Sequence, residues 1–469
     1  MITEKLDLII SQIVEMHESP GLAVGIVKDD KIVYAKGFGV KNIKTKEPVS
    51  TTSLFHMASV SKPFVATAIV QLVERGQVDL DAPVIKYLPY FKIDDERYKN
   101  ITVQQMLSHT SGMPDVEDYE WDKPQYDDGA LERYVRGLGD ARLLFAPGEK
   151  YAYSNIAFEV LGDLIAKVSG QSFADYVKEN ILNPLEMAES TFLKQEASPE
   201  LLTTPHLSAL ETVVSDVYPY NRAHGPSSTL HSNVLEMCNW ARANLNGGEF
   251  KGKRILETAS YDLLWEPRQE TGQDAGAGFV GLSWFIGEYR GHKTIYHSGG
   301  DVGYRTNFVM LPNKSAAIVV LFNAMPAPIE AVTKAALNFV LGFEVGVPRP
   351  PVLVSLRKTY LEAGFEATVE QCRRLQETRL DEYDFRVEQF LLGGFVLAEM
   401  GNARAAIDML NLGLVIHPKS DDLLAFLALG YMKSGDKELA LQNAKQALEL
   451  NPQNAHAAQM LELFGQQRS

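Results

Sequence analysis

The chain has 469 residues, of which 45% are hydrophobic and 22% are charged, proportions typical of a soluble globular protein. Its formal net charge of −15 disfavours nucleic acid and anionic membrane surfaces as partners, because both repel an acidic protein. A chain of this length buries a large core, so neither disulfides nor structural metal ions are needed for stability.

The first predicted elements are a helix and a β-hairpin. Hydrophobic residues recur at helical spacing between Leu6 and Ile13, which predicts an amphipathic surface helix. Two β-rich runs, residues 22–27 and 32–38, flank a polar turn and predict the hairpin. The N-terminus lacks a basic region followed by a cleavage site, and no stretch is apolar enough to span a bilayer. We therefore expect a cytoplasmic protein, or a periplasmic or secreted one if the chain has been trimmed.

A mostly helical middle region separates two strand-rich ends. Residues 61–75 predict a helix whose first turn holds Pro63. Residues 80–260 are mostly helices and polar loops, and strand signals return between Leu282 and Phe322, before a helix at 329–341. Strands from both ends that enclose a helical middle indicate an α+β fold with one antiparallel sheet flanked by helices.

A second, all-helical domain is predicted after a proline-rich linker. The linker covers residues 347–352 and divides a first domain, residues 1–346, from a helical-repeat domain at residues 353–469. Several residue types recur there with a period of 34, as in Pro418 and Pro452 (452 − 418 = 34). A helix–turn–helix of that length resembles the tetratricopeptide repeat. Such repeats usually need about three units to bury their faces, so we expect the domain to pack on the first domain or on another subunit.

The first motif with chemical meaning is Ser59-Val60-Ser61-Lys62, at the predicted start of a helix. Positions i and i+3 share one face of a helix, so the Ser59 hydroxyl and the Lys62 ammonium can meet. Serine is a weak nucleophile until a base takes its proton, and a lysine with a lowered pKa in a low-dielectric cleft can be that base. The helix N-terminus also supplies backbone N–H donors where negative charge develops.

The second motif is Tyr153-Ser154-Asn155, which precedes a strong helical period. The tyrosine is a candidate second proton carrier, and the asparagine is a candidate hydrogen-bond donor to the substrate or to Lys62. A tyrosine ring packed in a loop and an asparagine that caps the next helix explain the same residues. The motif alone therefore does not decide between these two interpretations.

The third motif is His297-Ser298-Gly299-Gly300, at the end of a predicted strand. Glycines at a strand edge let a ligand approach the backbone closely. A backbone N–H of this strand and that of Ser59 would then form an oxyanion hole. The same four residues are also compatible with a simple turn.

Together, in this order and on these elements, the three motifs resemble those of the penicillin-recognising serine hydrolases: class C β-lactamases, D-alanyl-D-alanine carboxypeptidases, D-aminopeptidases and related esterases. The Tyr-x-Asn form points to the class C-like branch, and the resemblance covers about residues 7–343. It implies a β-lactamase/transpeptidase-like fold with Ser59 as the nucleophile. It also implies Lys62 and Tyr153 as the proton-transfer pair, with Asn155 orienting the substrate. Which of Lys62 and Tyr153 is the general base stays open.

One position departs from the class C pattern. Those enzymes carry Lys-Thr-Gly where this chain has His297-Ser298-Gly299, followed by Gly300 as the implied oxyanion donor. A lysine is a fixed charge that grips a substrate carboxylate, whereas a histidine is expected to titrate near neutral pH. We therefore expect weak β-lactam hydrolysis, and we leave ester hydrolysis and D-amino-acid peptidase activity open.

The leading hypothesis is a serine hydrolase, without metal or cofactor, that cleaves an ester or amide through an acyl-enzyme on Ser59. We expect a small-molecule or peptide substrate, and a helical domain that binds a protein partner or mediates self-association. The alternative is a catalytically inert, hydrolase-like scaffold with a peptide-binding repeat domain. The joint presence of Ser59, Lys62, Tyr153 and Asn155 argues against it, because an inert protein has no physical need for all four.

Overall fold

The structure, a computed structural model, describes residues 2–272 and 278–466. Within these residues, eight strands form an antiparallel sheet in the order β2-β1-β14-β13-β12-β11-β10-β9. The remaining short strands pair among themselves outside this sheet. In chain order the strands are β1 (Gly21–Lys28), β2 (Lys31–Gly39), β3 (Phe55–His56), β4 (His206–Ser208), β5 (Thr212–Val214), β6 (His231–Ser232), β7 (Glu249–Phe250), β8 (Lys253–Arg254), β9 (Gln269–Glu270), β10 (Phe279–Val280), β11 (Phe285–Tyr289), β12 (His292–Asp301), β13 (Tyr304–Leu311), β14 (Ala316–Phe322) and β15 (Ala324–Met325).

The helices fall into three groups. Two helices cover the outer face of the sheet, α1 (Ile2–Met16) and α10 (Ile329–Leu341). The inner side holds α2 (Lys62–Glu74), α3 (Val103–Leu107), α4 (Ala130–Arg136), α5 (Asn155–Ser169), α6 (Phe173–Val177), α7 (Gly225–Ser228), α8 (Val234–Leu245) and α9 (Ala259–Leu264). The C-terminal helices are α11 (Val352–Arg379), α12 (Val387–Glu399), α13 (Ala403–Ile416), α14 (Asp421–Lys433), α15 (Lys437–Leu450) and α16 (Ala455–Gln466).

Strands from both ends of the first domain pair directly at the centre of the sheet. β1 lies antiparallel to β14, with Ala23 opposite Leu321 and Val24 opposite Val320. Because side chains alternate between the faces of a strand, Leu321 packs into the inner core and Val320 into the outer core under α1 and α10. The predicted antiparallel α+β layout and hairpin are confirmed, and α10 has the bounds predicted for the last helix of the first domain.

The strand that carries the third motif has an open edge. β12 pairs with β13 along its length through Asp301, but its pairing with β11 ends at Tyr296. Beyond Tyr296, no strand of the described residues pairs with the β11 side of residues 297–301. We call this side of residues 297–301 the open edge.

The C-terminal helices form two hairpins at a fixed offset and pack on the first domain. α13 begins at Ala403 and α15 at Lys437, a separation of 34 residues (437 − 403 = 34). α11 begins at Val352, the last residue of the linker predicted at 347–352. The predicted domain boundaries stay predictions.

Three buried residues join α12 to the first domain. Val396 of α12 packs with Leu207 of β4 and Met325 of β15. Of the helices described, none combines the length and apolar character needed to cross a bilayer.

Candidate active site

Ser59 lies in a short 3₁₀ turn, Ala58–Ser61, between β3 and α2. The preceding Ala58 has a φ of +48°, a left-handed conformation that costs an alanine free energy. Two hydrogen bonds to Leu230 hold the turn: Met57 N–H donates to the Leu230 carbonyl at 2.7 Å, and Leu230 N–H donates to Ser61 Oγ at 3.0 Å. The backbone of Ser59, the predicted nucleophile, is therefore held by its neighbours, and we call residues 57–61 the nucleophile turn.

The Lys62 ammonium is fully buried and directed at Ser59. Its Nζ lies 2.9 Å from Ser59 Oγ, 2.5 Å from Asn155 Oδ1 and 2.9 Å from the Ser227 carbonyl oxygen. Nζ also lies 4.9 Å from the centroid of the Tyr153 ring. The structure thus brings together the four residues that the first two motifs predict.

Burial and neighbouring charges shift the pKa of Lys62 in opposite directions. Burial lowers the pKa of its ammonium to about 8, although the charges of Glu159, Asp115 and Asp301 raise it. The predicted lowering of the lysine pKa is therefore present, and about a tenth of Lys62 is neutral at pH 7.

The pKa of Tyr153 is shifted in the opposite direction. Burial raises the pKa of its phenol well above the ordinary value, although a hydrogen bond with Ser59 lowers it. The ring stacks on His109, with centroids 4.3 Å apart, and His109 Nδ1 accepts a hydrogen bond from Ser154 N–H at 3.1 Å. Tyr153 therefore keeps its proton at neutral pH, while Lys62 can lose one.

Asn155 accepts rather than donates toward the lysine, and Asp115 sets its orientation. The Asp115 carboxylate accepts from Asn155 Nδ2 at 2.9 Å and from the Asn155 backbone N–H at 2.7 Å, which turns Oδ1 to Lys62. Toward Lys62, Asn155 therefore acts as an acceptor and not as the expected donor, and its donation to substrate stays a prediction. Asp115 lies outside the three motifs that predicted the site, and no sequence pattern pointed to it.

Two further buried clusters surround the site. Glu159 accepts from Ser227 Oγ and lies 3.2 Å from His224 Nδ1. Asp301, at the end of β12, accepts from Ser228 Oγ and lies 2.7 Å from His56 Nε2. Neither acid was predicted from sequence, because their partners lie far away along the chain.

The third motif lies against the nucleophile turn. Gly299 approaches so closely that a Cβ atom there would lie 2.4 Å from the Met57 carbonyl oxygen. Thr306 of the neighbouring β13 donates its hydroxyl to the same oxygen at 2.7 Å. The contact between β12 and the turn therefore involves Gly299, which follows Ser298, and Met57, which lies two residues before Ser59. The role of Gly300 as an oxyanion donor stays a prediction.

Within the described residues, no group of three or more His, Cys, Asp or Glu side chains is arranged to hold a metal ion. A buried amine, a phenol and a hydroxyl close together are the groups that general acid–base and nucleophilic catalysis require.

A family model for Beta-lactamase matches residues 6–341 of this chain. The chain belongs to the Beta-lactamase family. Among the relatives of this family member, Penicillin-binding protein 4* of Bacillus subtilis (strain 168) is 28% identical over 357 residues, covering 72% of this chain and 76% of that protein. Protein flp of Staphylococcus aureus (strain MW2) is 26% identical over 321 residues, which cover 68% of this chain. The matched part spans 63% of the length of Protein flp.

Solved structures agree with the family assignment. The octameric penicillin-binding protein homologue from Pyrococcus abyssi has a TM-score of 0.63 and is 26% identical, covering 73% of this chain and 78% of that one. The predicted β-lactamase/transpeptidase-like fold is thereby confirmed, and the chain belongs to a superfamily of serine hydrolases.

The expectation about His297 in this Beta-lactamase family member needs correction. The ring is fully buried and packs on Phe285, with centroids 5.2 Å apart, and its Nδ1 lies 2.7 Å from the Ser298 carbonyl oxygen. Burial and the charge of Lys62 lower the pKa of His297 to about 3. His297 is therefore neutral across the physiological range and does not titrate near neutrality as its type alone suggested.

Proposed function

We propose that this Beta-lactamase family member is a serine hydrolase of the class C-like type that cleaves an ester or amide through an acyl-enzyme on Ser59. The observation that carries the proposal is the buried Lys62 Nζ, 2.9 Å from Ser59 Oγ, with a pKa lowered to about 8. A lysine with its ordinary pKa is an ammonium at neutral pH and has no lone pair with which to accept a proton.

The proposed acylation assigns the two proton carriers to different tasks. Neutral Lys62 takes the proton of Ser59 as Oγ forms its bond to the substrate carbonyl carbon, and the carbonyl π electrons move to the oxygen. The backbone N–H groups of Ser59 and Gly300 stabilise that oxyanion. As the carbonyl re-forms, the bond to the leaving group breaks, and the protonated Tyr153 gives the departing oxygen or nitrogen a proton. Lys62 then returns its proton to Tyr153.

In deacylation, water takes the place of Ser59 as the nucleophile. The amine of Lys62 takes a proton from a water molecule that attacks the acyl carbonyl, the bond between Ser59 Oγ and the acyl carbon breaks, and the Lys62 ammonium gives its proton to Ser59 Oγ. Lys62 can serve in both directions because its pKa of about 8 lies close to the working pH.

Esters are the preferred test substrates. A neutral His297 provides no fixed charge for the carboxylate that a lysine would hold, which supports weak β-lactam hydrolysis. Activated esters need less assistance to the leaving group than amides, so they report on Ser59 most directly.

The deciding experiment is intact-protein mass spectrometry after incubation with a fluorophosphonate and, separately, with a penicillin. We expect one covalent adduct on the wild-type chain and none on Ser59→Ala. Ser198→Ala, which removes a hydroxyl bonded to Glu200, is the matched control and keeps the adduct. Failure of both reagents to modify the wild-type chain would overturn the proposal in favour of an inert scaffold.

The penicillin arm separates the finer activities. A penicillin adduct that persists for hours supports a penicillin-binding peptidase or an esterase, whereas rapid release of opened penicillin supports a β-lactamase. Hydrolysis of p-nitrophenyl butyrate, lost in Ser59→Ala, measures the esterase activity.

We also propose that the C-terminal helices form a tetratricopeptide-like domain in a cytoplasmic protein. The 34-residue offset between α13 and α15, with Asn402 and Asp436 capping their N-termini, supports the repeat. Self-association through this domain predicts a molar mass above that of one 52.1 kDa chain in light scattering, and a monomer at all concentrations contradicts it.

A further inference from the structure

A cavity lies where the C-terminal helices pack on the first domain. Its volume is about 110 Å³, within the size range of cavities that bind small organic molecules, such as one of about 150 Å³ that binds benzene. The first domain contributes His17, residues 208–210 and residues 326–328, and the other side chains come from α11, α12, α13 and the residue before α11. None of the lining residues belongs to the candidate active site, so the cavity is a separate place on the molecule.

Most of the cavity wall is apolar. The C-terminal helices supply four leucines, Leu353, Leu356, Leu392 and Leu397. The first domain adds the segment Pro326-Ala327-Pro328. Such a wall favours a ligand with a hydrocarbon body, because a charged group buried there is unfavourable unless it finds a partner.

Arg357 of α11 brings a positive charge to this wall. Its side chain is only 13% exposed, and Nη1 donates to Oε2 of the more exposed Glu18 at 2.6 Å. Among the residues that the structure describes, Nε and Nη2 of Arg357 make no hydrogen bond, and Nε is buried. Two neighbouring N–H groups on one side of a guanidinium form a fork that a carboxylate accepts with both oxygens. The ion pair with Glu18 leaves this fork unused.

His17 adds a neutral polar group from the first domain. Burial lowers the pKa of its ring to about 4, although the charge of Asp384 raises it, and the charge of Arg357 lowers it further. His17 is therefore an uncharged imidazole at physiological pH and can donate one hydrogen bond. Asp384 is itself paired, because its Oδ2 accepts from Arg386 at 2.7 Å and from Gln389 at 3.3 Å.

A buried donor without an acceptor costs free energy, and a bound acceptor removes that cost. We propose that the cavity binds a small carboxylic acid with a hydrocarbon chain, whose carboxylate pairs with the Arg357 fork and whose chain lies among the leucines. The small volume limits the ligand to a short chain. The inference does not rest on the proposed hydrolase function, because the cavity shares no residue with the candidate active site.

The test measures binding of three small molecules to the full chain by NMR titration of their proton signals. Hexanoate has both the charge and the hydrocarbon chain, hexanamide keeps the chain without the charge, and acetate keeps the charge with little chain. We expect hexanoate to bind with a dissociation constant on the order of 1 mM, and roughly tenfold or more tightly than either of the others.

Substitutions separate the charged part of the cavity from the apolar part. Arg357→Met should bring the affinities for hexanoate and hexanamide to within about twofold of each other, because the fork is lost and the apolar wall remains. Arg357→Lys keeps the charge without the fork. It is expected to retain part of the preference and supplies the comparison should Arg357→Met not fold.

Gly393→Leu tests the apolar part. A Cβ atom at Gly393 would lie 3.0 Å from Leu353 Cδ1, so a leucine there takes up space at the cavity wall. We expect it to weaken both hexanoate and hexanamide by roughly tenfold. Arg374→Met removes an exposed arginine from the same helix as Arg357 and should leave both affinities unchanged.

Three outcomes overturn the assignment. The first is a wild-type chain that binds hexanoate no more tightly than hexanamide. The second is a pair of Arg357 variants that keep the wild-type ratio of the two affinities within twofold. The third is a Gly393→Leu chain that binds both ligands as the wild type does. None of them touches the proposed hydrolase function, which Ser59→Ala decides separately on p-nitrophenyl butyrate.

Discussion

A primary amine without solvent contact, 2.9 Å from a serine hydroxyl, is the central residue-scale feature of this protein. Two effects set the pKa of Lys62, desolvation by burial and the charge of three nearby carboxylates. The first effect lowers its pKa and the second limits the fall. The result is a base that is available near neutral pH, beside a Tyr153 phenol that stays protonated.

The pH dependence of activity follows from this balance. We expect kcat/KM for p-nitrophenyl butyrate to rise with pH through an inflection at about 8, because only neutral Lys62 accepts the serine proton. Lys62→Arg should lower kcat by roughly 10²–10⁴-fold, since a guanidinium does not deprotonate. A flat profile between pH 6 and pH 9 in the wild-type chain would contradict Lys62 as the base.

Replacing Asp115 tests the origin of the Lys62 pKa, because the direction of the expected pKa change is known. Its charge raises the pKa of Lys62, so the neutral Asp115→Asn should move the inflection to lower pH. Asp94→Asn is the control, because Asp94 is an exposed partner of Arg142 and does not act on Lys62. An inflection that stays in place or moves upward in Asp115→Asn would show that the electrostatic account is incorrect.

Sequence alone predicts the candidate reacting groups but not the groups that shift their pKa values. Ser59 and Lys62 are three residues apart, so local helical geometry predicts that they meet. Lys62 and Asn155 are 93 positions apart, and Asp115 acts on both only through tertiary structure. The same holds for His297, whose type predicts titration near neutrality and whose burial prevents it.

At the scale of elements, the contact between β12 and the nucleophile turn determines the geometry of the site. Strand positions were predictable because β1 and β14 are continuous hydrophobic runs, buried on both faces. The end of β11 relative to β12 was not predictable, since pairing length depends on neighbours rather than on local sequence. That end creates the open edge.

Gly299→Ala should lower activity because it displaces the backbone of the site. The added methyl group would lie 2.4 Å from the Met57 carbonyl oxygen, so strand and turn must move apart. A displacement of about 1 Å at a reacting group costs on the order of 10²-fold in rate, and we expect kcat to fall by that amount. Gly287→Ala on β11, where the nearest atom is Thr294 Oγ1 at 3.2 Å, should cost far less. Equal activity of the two variants would contradict this role of Gly299.

At the scale of the whole molecule, the C-terminal helices pack directly on the first domain. Arg357 of α11 pairs with Glu18 at 2.6 Å, and Val396 is buried against Leu207 and Met325. Val302, in the turn between β12 and β13, packs at the same cluster. The helical domain therefore contacts the turn at the end of β12, the strand predicted to bind substrate.

Val396→Asp should destabilise the first domain although it lies in the second. It places an unpaired charge in the shared apolar cluster, and we expect a loss of about 3 kcal/mol or more in the free energy of unfolding. All four tryptophans, Trp121, Trp240, Trp265 and Trp284, belong to the first domain, so their fluorescence during urea unfolding reports on that domain. Leu429→Asp, at a residue 38% exposed, is the control. An unchanged tryptophan transition in Val396→Asp would show that the domains unfold independently.

The unpaired stretch of β12 has a consequence for the protein at high concentration. A bare strand edge invites the backbone of any neighbouring molecule to pair with it, and natural proteins limit this with short edges and charged side chains. Within the part of the chain that the structure describes, the unpaired stretch covers residues 297–301 and ends at Asp301, with Arg305 on the neighbouring strand. The features that leave room for the proposed substrate therefore also discourage two copies of the chain from pairing edge to edge.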